Sequence, residues 1–423
     1  MDYAFDFDSQ LPALPLAFDL AAVARLFVEQ WPRAGGEPPA AIGKCKLQDT
    51  KYTPALRCAT TYALTVERPG APPEPTIGVL EITPAGAAHR LYDDDPRLPN
   101  LAQATDPAAM RERFAALLPE TAVESCAIAP VRYRPGVRCV FRYDLRTPAG
   151  AQTFFGKLFG EGAEQSMSTI AALDRARRSN PGMPRVLPPL ECWADLQMLI
   201  QPAVTGGAEL NDLAFDPAVD AATRERWLRD AGARLAGLHG CDSVAGPPRT
   251  IADDLDELRE YIAPMAAVSP ALAQQYQQTV ERIAAQAAPR GEPAPVASHG
   301  AFRTDQFMIE DGELVMIDLD GFCWANPARD LGNFLAYLRW KAIRKPKDAD
   351  FIERVGQVFL DGYQAAGRAI DQRWLMLYTA DSMLKIAGRR YRSLTAKEWH
   401  LVPRLLDGAL AALDTVSVGE QTA

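Results

Sequence analysis

The chain has 423 residues, of which 48% are hydrophobic, enough for two or three domains with sizeable cores. Its formal net charge of -9 argues against a nucleic-acid surface as the main partner. No apolar run approaches the ~18 residues that span a bilayer, and the acidic first residues lack the basic start of a signal peptide. We therefore expect a cytoplasmic protein with neither a membrane nor a nucleic acid as its partner.

The seven cysteines are scattered along the chain without Cys-x-x-Cys pairs. This pattern predicts neither a zinc site nor a dense disulfide framework. We interpret the cysteines as reduced packing residues, which agrees with a cytoplasmic location.

The first third of the chain predicts a small α+β module. Residues 69–75 are rich in proline and predict a loop, and Thr105-Asp106-Pro107 predicts the start of a helix that runs to Leu118. Residues 51–62 align without a gap with residues 132–143 and share five of twelve residues. This similarity indicates a repeated strand-turn-strand unit, and two unrelated hairpins are the alternative.

Three strands are predicted after this module. The first leads to Tyr133, a turn at Pro135-Gly136 follows, and residues 138–145 form the second strand. The third strand, residues 153–159, contains Lys157, which would be costly to bury without a partner. Lys157 therefore either meets an anion or extends along the surface to solvent.

The remainder of the chain predicts mostly helices. Residues 196–201 predict a strand that precedes a hinge at residues 202–207. The acidic cluster at residues 253–257, with Glu260, fits two interpretations. It is either the acidic start that a helix favours electrostatically or a surface that attracts a cationic substrate.

The richest stretch begins at Ser298 and continues into a predicted hairpin. Asp311-Gly312 lies between two apolar runs, which predicts a two-residue turn. The antiparallel pairs that follow from this turn are Ile309 with Leu314, Phe307 with Met316, and Asp305 with Asp318. Two carboxylates within roughly 5 Å repel each other unless a cation lies between them or one of them is protonated, so the pairing favours a divalent metal. A slip of one residue would instead place Gln306 opposite Asp318.

Three features together resemble the aminoglycoside phosphotransferase and choline kinase group. They are Ser298-His299-Gly300-Ala301, the hairpin that ends at Asp318, and residues 326–332, which resemble an Asp-Pro-x-x-Asp-Leu segment. The resemblance implies an α+β, bilobal protein kinase-like fold. Residues 123–202 would form the β-rich small lobe and residues 203–423 the mostly helical large lobe. Residues 1–122 would be an additional α+β module and are a candidate partial repeat of the small lobe.

The same resemblance implies phosphoryl transfer from ATP, or another nucleoside triphosphate, with Mg²⁺ to a hydroxyl of a small molecule. Lys157 matches the lysine that binds the α/β-phosphates, and Glu164 is the candidate for its helix partner. The candidate metal ligands are Asp318, Gln306 and Asp320. His299 belongs to the motif in a structural role, and the turn at residues 134–137 occupies the place of the glycine-rich loop.

One position departs from the family pattern, because Ala301 stands where the catalytic aspartate is expected. Alanine cannot accept a proton. Either the chain is an atypical or weakened phosphotransferase, in which Asp305 substitutes as the base, or it is a nucleotide-binding pseudokinase. A pseudokinase would act as a regulatory or interaction module with a protein partner.

Overall fold

The computed structural model describes residues 5–32, 38–203 and 207–421, with the side chains of residue 290 and residues 417–421 excepted. The chain forms two compact units. The first contains Met1–Met167 and Pro189–Ala203, and the second contains Ser168–Pro188 and Val204–Ala423. The first unit is rich in strands and the second is mostly helical. The predicted α+β class, with a β-rich and a helical part, is confirmed.

The regular elements are as follows. The strands are β1 (Ala41–Thr53), β2 (Arg57–Glu67), β3 (Glu74–Thr83), β4 (Gly86–Leu91), β5 (Ser125–Arg134), β6 (Arg138–Thr147), β7 (Gly150–Phe159), β8 (Arg185–Val186), β9 (Glu191–Trp193), β10 (Met198–Pro202), β11 (Ala208–Glu209), β12 (Pro248–Arg249), β13 (Val296–Ser298), β14 (Phe307–Glu310), β15 (Glu313–Met316) and β16 (Cys323–Ala325). The α-helices are α1 (Leu20–Glu29), α2 (Leu101–Ala104), α3 (Pro107–Leu117), α4 (Ala163–Ser179), α5 (Leu210–Phe215), α6 (Ala221–His239), α7 (Ile251–Arg259), α8 (Ile262–Val268), α9 (Pro270–Ala287), α10 (Ala328–Arg344), α11 (Ala349–Ala365), α12 (Gln372–Arg392) and α13 (Val402–Gln421).

The first unit contains two antiparallel sheets. One has the strand order β1-β2-β3-β4, and the other has the order β5-β6-β7-β10-β9. Helix α3 packs on the second sheet through Phe114, whose ring centroid lies 5.3 Å from that of Phe154 and 5.2 Å from that of Trp193. Helix α3 therefore packs in the core of the sheet that follows it in the chain. The boundary at residue 122 stays a prediction, as does independent folding of residues 1–122.

The second unit surrounds two small sheets with helices. Their strand orders are β11-β14-β15-β8 and β12-β16-β13. An aromatic cluster fills the adjacent core: the Phe302 ring stacks on that of Phe334 at 5.8 Å, and the Phe334 ring stacks on that of Phe359 at 3.9 Å. Because Phe302 is fully buried and directly follows Ala301, the core fixes the position of the loop that carries Ala301.

Two expectations from composition can be compared with the fold. Within the described ranges, no helix is long and apolar enough to cross a membrane. All seven cysteines are free thiols, of which five are buried and two, Cys45 and Cys192, are half-buried. Residues 204–206 of the predicted hinge lie outside the described residues, and the cytoplasmic location stays a prediction.

Candidate active site

The predicted hairpin forms in the predicted register. Ile309 pairs with Leu314 and Phe307 pairs with Met316. The turn residues Asp311 and Gly312 have φ values of 53° and 76°, and two consecutive positive φ angles are what a tight hairpin turn with right-handed strand twist requires. The one-residue slip is therefore excluded.

The strand ladder ends before it reaches Asp305. Residues Thr304–Gln306 form a 3-10 turn, and the last link is the hydrogen bond from the Ile317 amide to the Gln306 carbonyl, at 3.0 Å. The Asp305 carboxylate instead lies 3.1 Å from the Arg303 guanidinium and accepts a hydrogen bond from the Gln306 side chain at 3.1 Å. The expected opposition of Asp305 and Asp318 on adjacent strands is thus not formed.

Gln306 is a candidate ligand with an unusual environment. It is only 4% exposed, and its side-chain oxygen has no hydrogen-bond partner. A buried amide oxygen without a donor is costly unless something else satisfies it. Oxygen atoms of this kind suit a hard divalent cation.

Asp318 and Asp320 are both exposed and lie at a sharp change of chain direction after β15. Asp318 has a φ of 58° and a ψ of 49°, and it precedes a 3-10 turn at Leu319–Gly321. A non-glycine residue in this left-handed region costs of order 1–3 kcal/mol, and such strain is concentrated at functional sites. Within the described ranges, no three His, Cys, Asp or Glu side chains converge as a metal-binding group.

The segment after Asp318 lies directly against the loop of Ala301. A Cβ atom at Gly300, which has a φ of 84°, would come within 1.9 Å of the Gly321 carbonyl oxygen. Only glycine fits there, for both its conformation and its space. Ala301 itself is exposed, so its methyl group faces open space rather than the core.

A buried carboxylate anchors this loop. Asp330, fully buried at the start of α10, accepts hydrogen bonds from the amides of His299, at 2.7 Å, and Gly300, at 2.8 Å. The His239 ring lies 3.2 Å from the same carboxylate. Burial raises the pKa of Asp330, but His239, His299 and Arg329 together outweigh burial, and the pKa lies below its ordinary value.

His299 connects the loop to the hairpin. Its Nε2 lies 2.9 Å from the carbonyl oxygen of Ile317, the residue before Asp318. Because a carbonyl can only accept, Nε2 carries the proton. The structural role that the motif implies for His299 therefore has a geometric basis, since one side chain ties the Ala301 loop to the strand end that carries Asp318.

A second anchor reaches the loop from a buried ion cluster. Arg329 donates to the Gly300 carbonyl through Nη1 and, through Nε, to the fully buried Asp254 at 2.8 Å. Asp254 also accepts from Arg249 at 2.8 Å and from Lys385 at 3.2 Å. We call this group the Asp254 cluster. It is invisible to motif reasoning, because Arg329 and Lys385 lie 75 and 131 residues from Asp254 along the chain.

Most acidic side chains of residues 253–257 either cap helix α7 or pair with cations of the Asp254 cluster. Asp253 closes a capping box with Thr250 at the start of α7. Glu257 meets Lys385 at 3.3 Å and Arg249 at 3.0 Å. Burial raises the pKa of Glu257, but Lys385 and Arg389 outweigh burial and lower it to about 2. Asp254 and Glu257 are thus neutralised within the fold and do not form an open surface for a cationic substrate.

The candidate nucleotide residues lie in the first unit. Lys157 pairs with Val140 of β6 and Leu199 of β10, and its Nζ lies 5.7 Å from the centroid of the Phe159 ring. Lys157 is half-buried, which fits a lysine that crosses the sheet surface with its charged end outward. Glu164 lies exposed in the first turn of α4.

Sequence reasoning missed a polar group beside Asp305. Lys341 of α10 donates to the Asn211 side chain at 3.2 Å, and the Thr304 hydroxyl donates to the same oxygen at 3.0 Å. The Lys341 Nζ lies 3.1 Å from the centroid of the Phe215 ring. Burial lowers the pKa of Lys341 to about 8. No motif marks this lysine, because its position depends on how α5 and α10 pack around the loop.

Comparison with family models identifies the group to which these features belong. The model of the phosphotransferase enzyme family (APH) matches residues 141–369, more than half of the chain. The chain belongs to this family. The matched range contains Lys157, Ala301, Gln306, Asp318 and Asp330, whereas residues 1–140 lie outside it.

Solved structures with similar folds include three members of related kinase groups. Amicoumacin kinase hAmiN, in complex with AMP-PNP, Ca²⁺ and Ami, is 15% identical, with 74% of this chain and 95% of that chain covered and a TM-score of 0.48. A choline/ethanolamine kinase family protein from Mesorhizobium loti is 15% identical, with coverages of 73% and 94% and a TM-score of 0.46. A glucosamine kinase is 18% identical, with coverages of 93% and 97% and a TM-score of 0.47. Among curated proteins, no match was found. Similarities at this level say nothing about the substrate of this chain.

Proposed function

We propose that the chain catalyses phosphoryl transfer from ATP, or another nucleoside triphosphate, to a hydroxyl of a small molecule, and that it does so at a reduced rate. Membership of the phosphotransferase enzyme family supports the reaction class. The observation that carries the proposal is the intact support of the loop: Asp330 and Arg329 hold the backbone of His299 and Gly300 from two sides. A loop held this firmly is suited to position reacting groups.

Each retained residue has a role in this proposal. Lys157 would bind the α/β-phosphates, with Glu164 as its candidate partner. Asp318, Gln306 and Asp320 would hold Mg²⁺, which neutralises the charge of the transferred phosphoryl group. The unsatisfied oxygen of the buried Gln306 supports the metal assignment.

The reduced rate follows from Ala301. Phosphoryl transfer depends mainly on positioning and electrostatic stabilisation, whereas a general base contributes typically ~10²–10⁴ in rate. An enzyme without the base is therefore slow rather than inactive. Asp305 remains the proposed substitute base, although its carboxylate is already paired with Arg303 and would have to leave that contact to accept a proton.

The second candidate function is a nucleotide-binding pseudokinase that regulates a protein partner. The observation in its favour is Ala301 itself, combined with the N-terminal module that lies outside the matched family range. Its binding residues would be the same Lys157 and Asp318. At the nucleotide site, the two functions differ in turnover.

Turnover therefore tests the proposal. The purified chain is incubated with MgATP and a panel of hydroxylated metabolites, including aminosugars and amino alcohols, and ADP release is measured with and without each acceptor. Acceptor-dependent release of ADP is expected. Nucleotide binding without acceptor-dependent release would instead favour the pseudokinase.

Asp318→Asn is expected to remove most of the magnesium-dependent stabilisation by ATP. Asparagine keeps the size of the side chain but loses the charge that a divalent cation requires. The measurement is the shift in melting temperature caused by MgATP. Asp311→Asn is the matched control, because Asp311 has a similar φ of 53° in the same hairpin but lies in its turn. An unchanged shift in Asp318→Asn would exclude Asp318 from the metal site.

Lys157→Ala is expected to weaken ATP binding by about 1.5–3 kcal/mol, the range for hydrogen bonds to charged groups, without unfolding the chain. The lysine contributes little to the core, because it is half-buried at the sheet surface. Titration calorimetry measures the affinity. The control is Lys46→Ala, which removes a lysine charge at an exposed position of β1. This variant should bind ATP like wild type. Equal affinities of the two variants would remove the phosphate role of Lys157.

A further inference from the structure

The first unit contains the same loop, helix and hairpin twice. Residues 8–31 align without a gap with residues 95–118, and nine of the 24 positions are identical. The identical pairs are Asp8/Asp95, Leu11/Leu98, Pro12/Pro99, Leu14/Leu101, Ala17/Ala104, Asp19/Asp106, Ala21/Ala108, Ala22/Ala109 and Phe27/Phe114. The hairpins β1–β2 and β5–β6 follow at corresponding places, so the similarity extends well beyond the twelve residues of the hairpins alone.

Aligned residues also make the same long-range contacts. The Tyr62 hydroxyl donates to the Ala17 carbonyl at 2.7 Å, and the Tyr143 hydroxyl donates to the Ala104 carbonyl at 2.9 Å. Asp19 and Asp106 cap the helices α1 and α3. Strand alternation alone produces similar patterns of apolar residues, but it does not produce matching hydrogen bonds between residues about forty positions apart. These contacts favour a duplicated unit over two unrelated hairpins.

Each copy fixes its hairpin turn with one carboxylate. In the first copy, an oxygen of Asp8 accepts from the Tyr52 hydroxyl at 2.7 Å and from the Ala55 amide at 2.9 Å. Its other oxygen accepts from the Gln10 amide at 3.1 Å. We call Asp8, Tyr52 and Ala55 the N-terminal clasp.

The second copy repeats this arrangement atom for atom. An oxygen of Asp95 accepts from the Tyr133 hydroxyl and the Gly136 amide, both at 2.6 Å, and the other oxygen accepts from the Arg97 amide at 3.0 Å. We call Asp95, Tyr133 and Gly136 the small-lobe clasp. Both clasped amides belong to residues with positive φ, 58° for Ala55 and 68° for Gly136. Ala55 is strained in this left-handed region, whereas Gly136 adopts it without strain. In both copies, a carboxylate that accepts several hydrogen bonds holds the turn in one conformation.

The two copies differ in the side chain at the position of Lys157, which is a lysine in the second copy and a glutamate in the first. In the second copy, Lys157 pairs with Val140, and in the first copy Glu81 pairs with the aligned Ala59. Glu81 lies 3.5 Å from Arg57. A carboxylate in place of the lysine repels a phosphate, so the first copy lacks the chemistry to bind a nucleotide there.

Lys157 lies beside the clasped turn of its own copy. Its Nζ is directed over the ring of Phe159, which pairs with Arg138, the first residue after the turn. Val137 at the turn is 54% exposed, so the turn is open to a ligand. Lys157 pairs with Val140, three residues after Val137, which corresponds to about 10 Å at about 3.3 Å per strand residue. An anion bound by the Lys157 side chain, which extends towards the turn, would therefore lie close to it.

We propose that Asp95 is a positioning residue for the nucleotide, because the small-lobe clasp fixes the turn beside Lys157. Asp8 fixes the equivalent turn of the first copy, which binds no nucleotide. The proposal rests on the phosphate role of Lys157 and thus on the proposed function. The duplication supplies a matched pair of variants, since Asp95→Asn and Asp8→Asn alter carboxylates that accept the same three hydrogen bonds. The surroundings differ in two ways: Asp95 is buried and lies 3.7 Å from Arg90, whereas Asp8 is half-buried.

The experiment compares these two variants in the full chain. Hydrogen exchange, measured by mass spectrometry without nucleotide, is expected to speed up at residues 133–138 in Asp95→Asn and at residues 52–57 in Asp8→Asn. The dissociation constant for MgATP is expected to rise about tenfold in Asp95→Asn and to stay within about twofold in Asp8→Asn, because only one turn borders the lysine. Tyr133→Phe and Tyr52→Phe form a second, milder pair in case Asp95→Asn does not fold, and the same contrast is expected.

The outcomes separate the inference from the proposed function. Unchanged exchange at residues 133–138 in Asp95→Asn would show that the carboxylate does not hold the turn. Equal affinities for MgATP in the two variants of a pair, with wild-type binding intact and Lys157→Ala weakened, would overturn the inference and leave the proposed function standing. A wild-type chain that binds no MgATP would overturn both.

Discussion

Asp254→Ala is expected to lower the free energy of unfolding by about 3–5 kcal/mol, the cost of breaking a buried ion pair by removing one partner. Asp254 is fully buried, and the side chains of Arg329 and Lys385 that meet it are only 12% and 9% exposed. The substitution leaves these cations in a poorly solvated space. The change in the urea midpoint measures the loss.

The matched control for this change is Asp256→Ala, two residues away on the same helix. Its side chain is 76% exposed and pairs with Arg259 at 2.5 Å. An exposed pair contributes about 0–1 kcal/mol, so the control is expected to stay near wild-type stability. A loss in Asp254→Ala no larger than that of the control would show that the cluster is not a stabilising element.

The Asp254 cluster also predicts how stability responds to acid. Burial raises the pKa of Asp254, but Lys385 and Arg329 outweigh burial, and the folded-state pKa lies well below its ordinary value. A carboxyl with a lowered folded-state pKa stabilises the fold above its unfolded-state pKa, and this stabilisation is lost as the pH falls through the folded-state pKa. Asp254→Ala should therefore show a smaller loss of stability than wild type between about pH 4 and pH 2.

The features predicted correctly from the sequence are those fixed by local chemistry. Asp311-Gly312 determines the hairpin register, because a two-residue turn with positive φ values leaves few alternatives. The expected pairing of Asp305 with Asp318 on adjacent strands was wrong, because the strand ladder ends at Phe307 and Thr304–Gln306 form a 3-10 turn. Alternation predicts which residues share a face but not where a strand ends.

The features that were missed depend on contacts between distant segments. No local pattern brings Lys385 to Asp254, because the pairing arises only when α7 and α12 pack together. The duplication was visible only in part for a different reason. Asp8 and Asp95 are 87 residues apart, whereas Tyr52 and Tyr133 are 81 apart, so an ungapped alignment of the hairpins does not extend to the helices. The hydrogen bonds that both copies share, such as Tyr62 to Ala17 and Tyr143 to Ala104, join the aligned helix segments to the aligned hairpins.

Ala301→Asp is expected to raise the turnover of the proposed enzyme. The Ala301 methyl group is exposed, so a carboxylate can be introduced without burial. It would accept the proton of the acceptor hydroxyl, a contribution of ~10²–10⁴ in rate, or about 3–5 kcal/mol of barrier, at most. Gly300 and Phe302 on either side are held by Arg329, Asp330 and the aromatic core, which keeps the loop in place when its side chain changes.

The control is Ala301→Asn, which has nearly the same size and polarity but cannot act as a base at neutral pH. A gain in Ala301→Asp alone identifies base catalysis, whereas equal gains in both variants indicate better acceptor binding. The measurement is the maximal rate of ADP release on one acceptor, followed across pH. In Ala301→Asp the rate should rise with pH through the pKa of the new carboxyl, because only its ionised form accepts a proton.

Asp305→Ala distinguishes the remaining cases. If Asp305 leaves Arg303 and serves as the base, Asp305→Ala abolishes most of the activity and Ala301→Asp adds little to wild type, because a proton acceptor is already present. If no residue serves as the base, Asp305→Ala has a small effect and Ala301→Asp gives the full gain, also in the double variant. A pseudokinase responds to neither substitution, since its deficit is not limited to proton transfer. Absence of turnover in wild type, Ala301→Asp, Asp305→Ala and the double variant, with MgATP binding intact, would refute the phosphotransferase proposal in favour of a regulatory module.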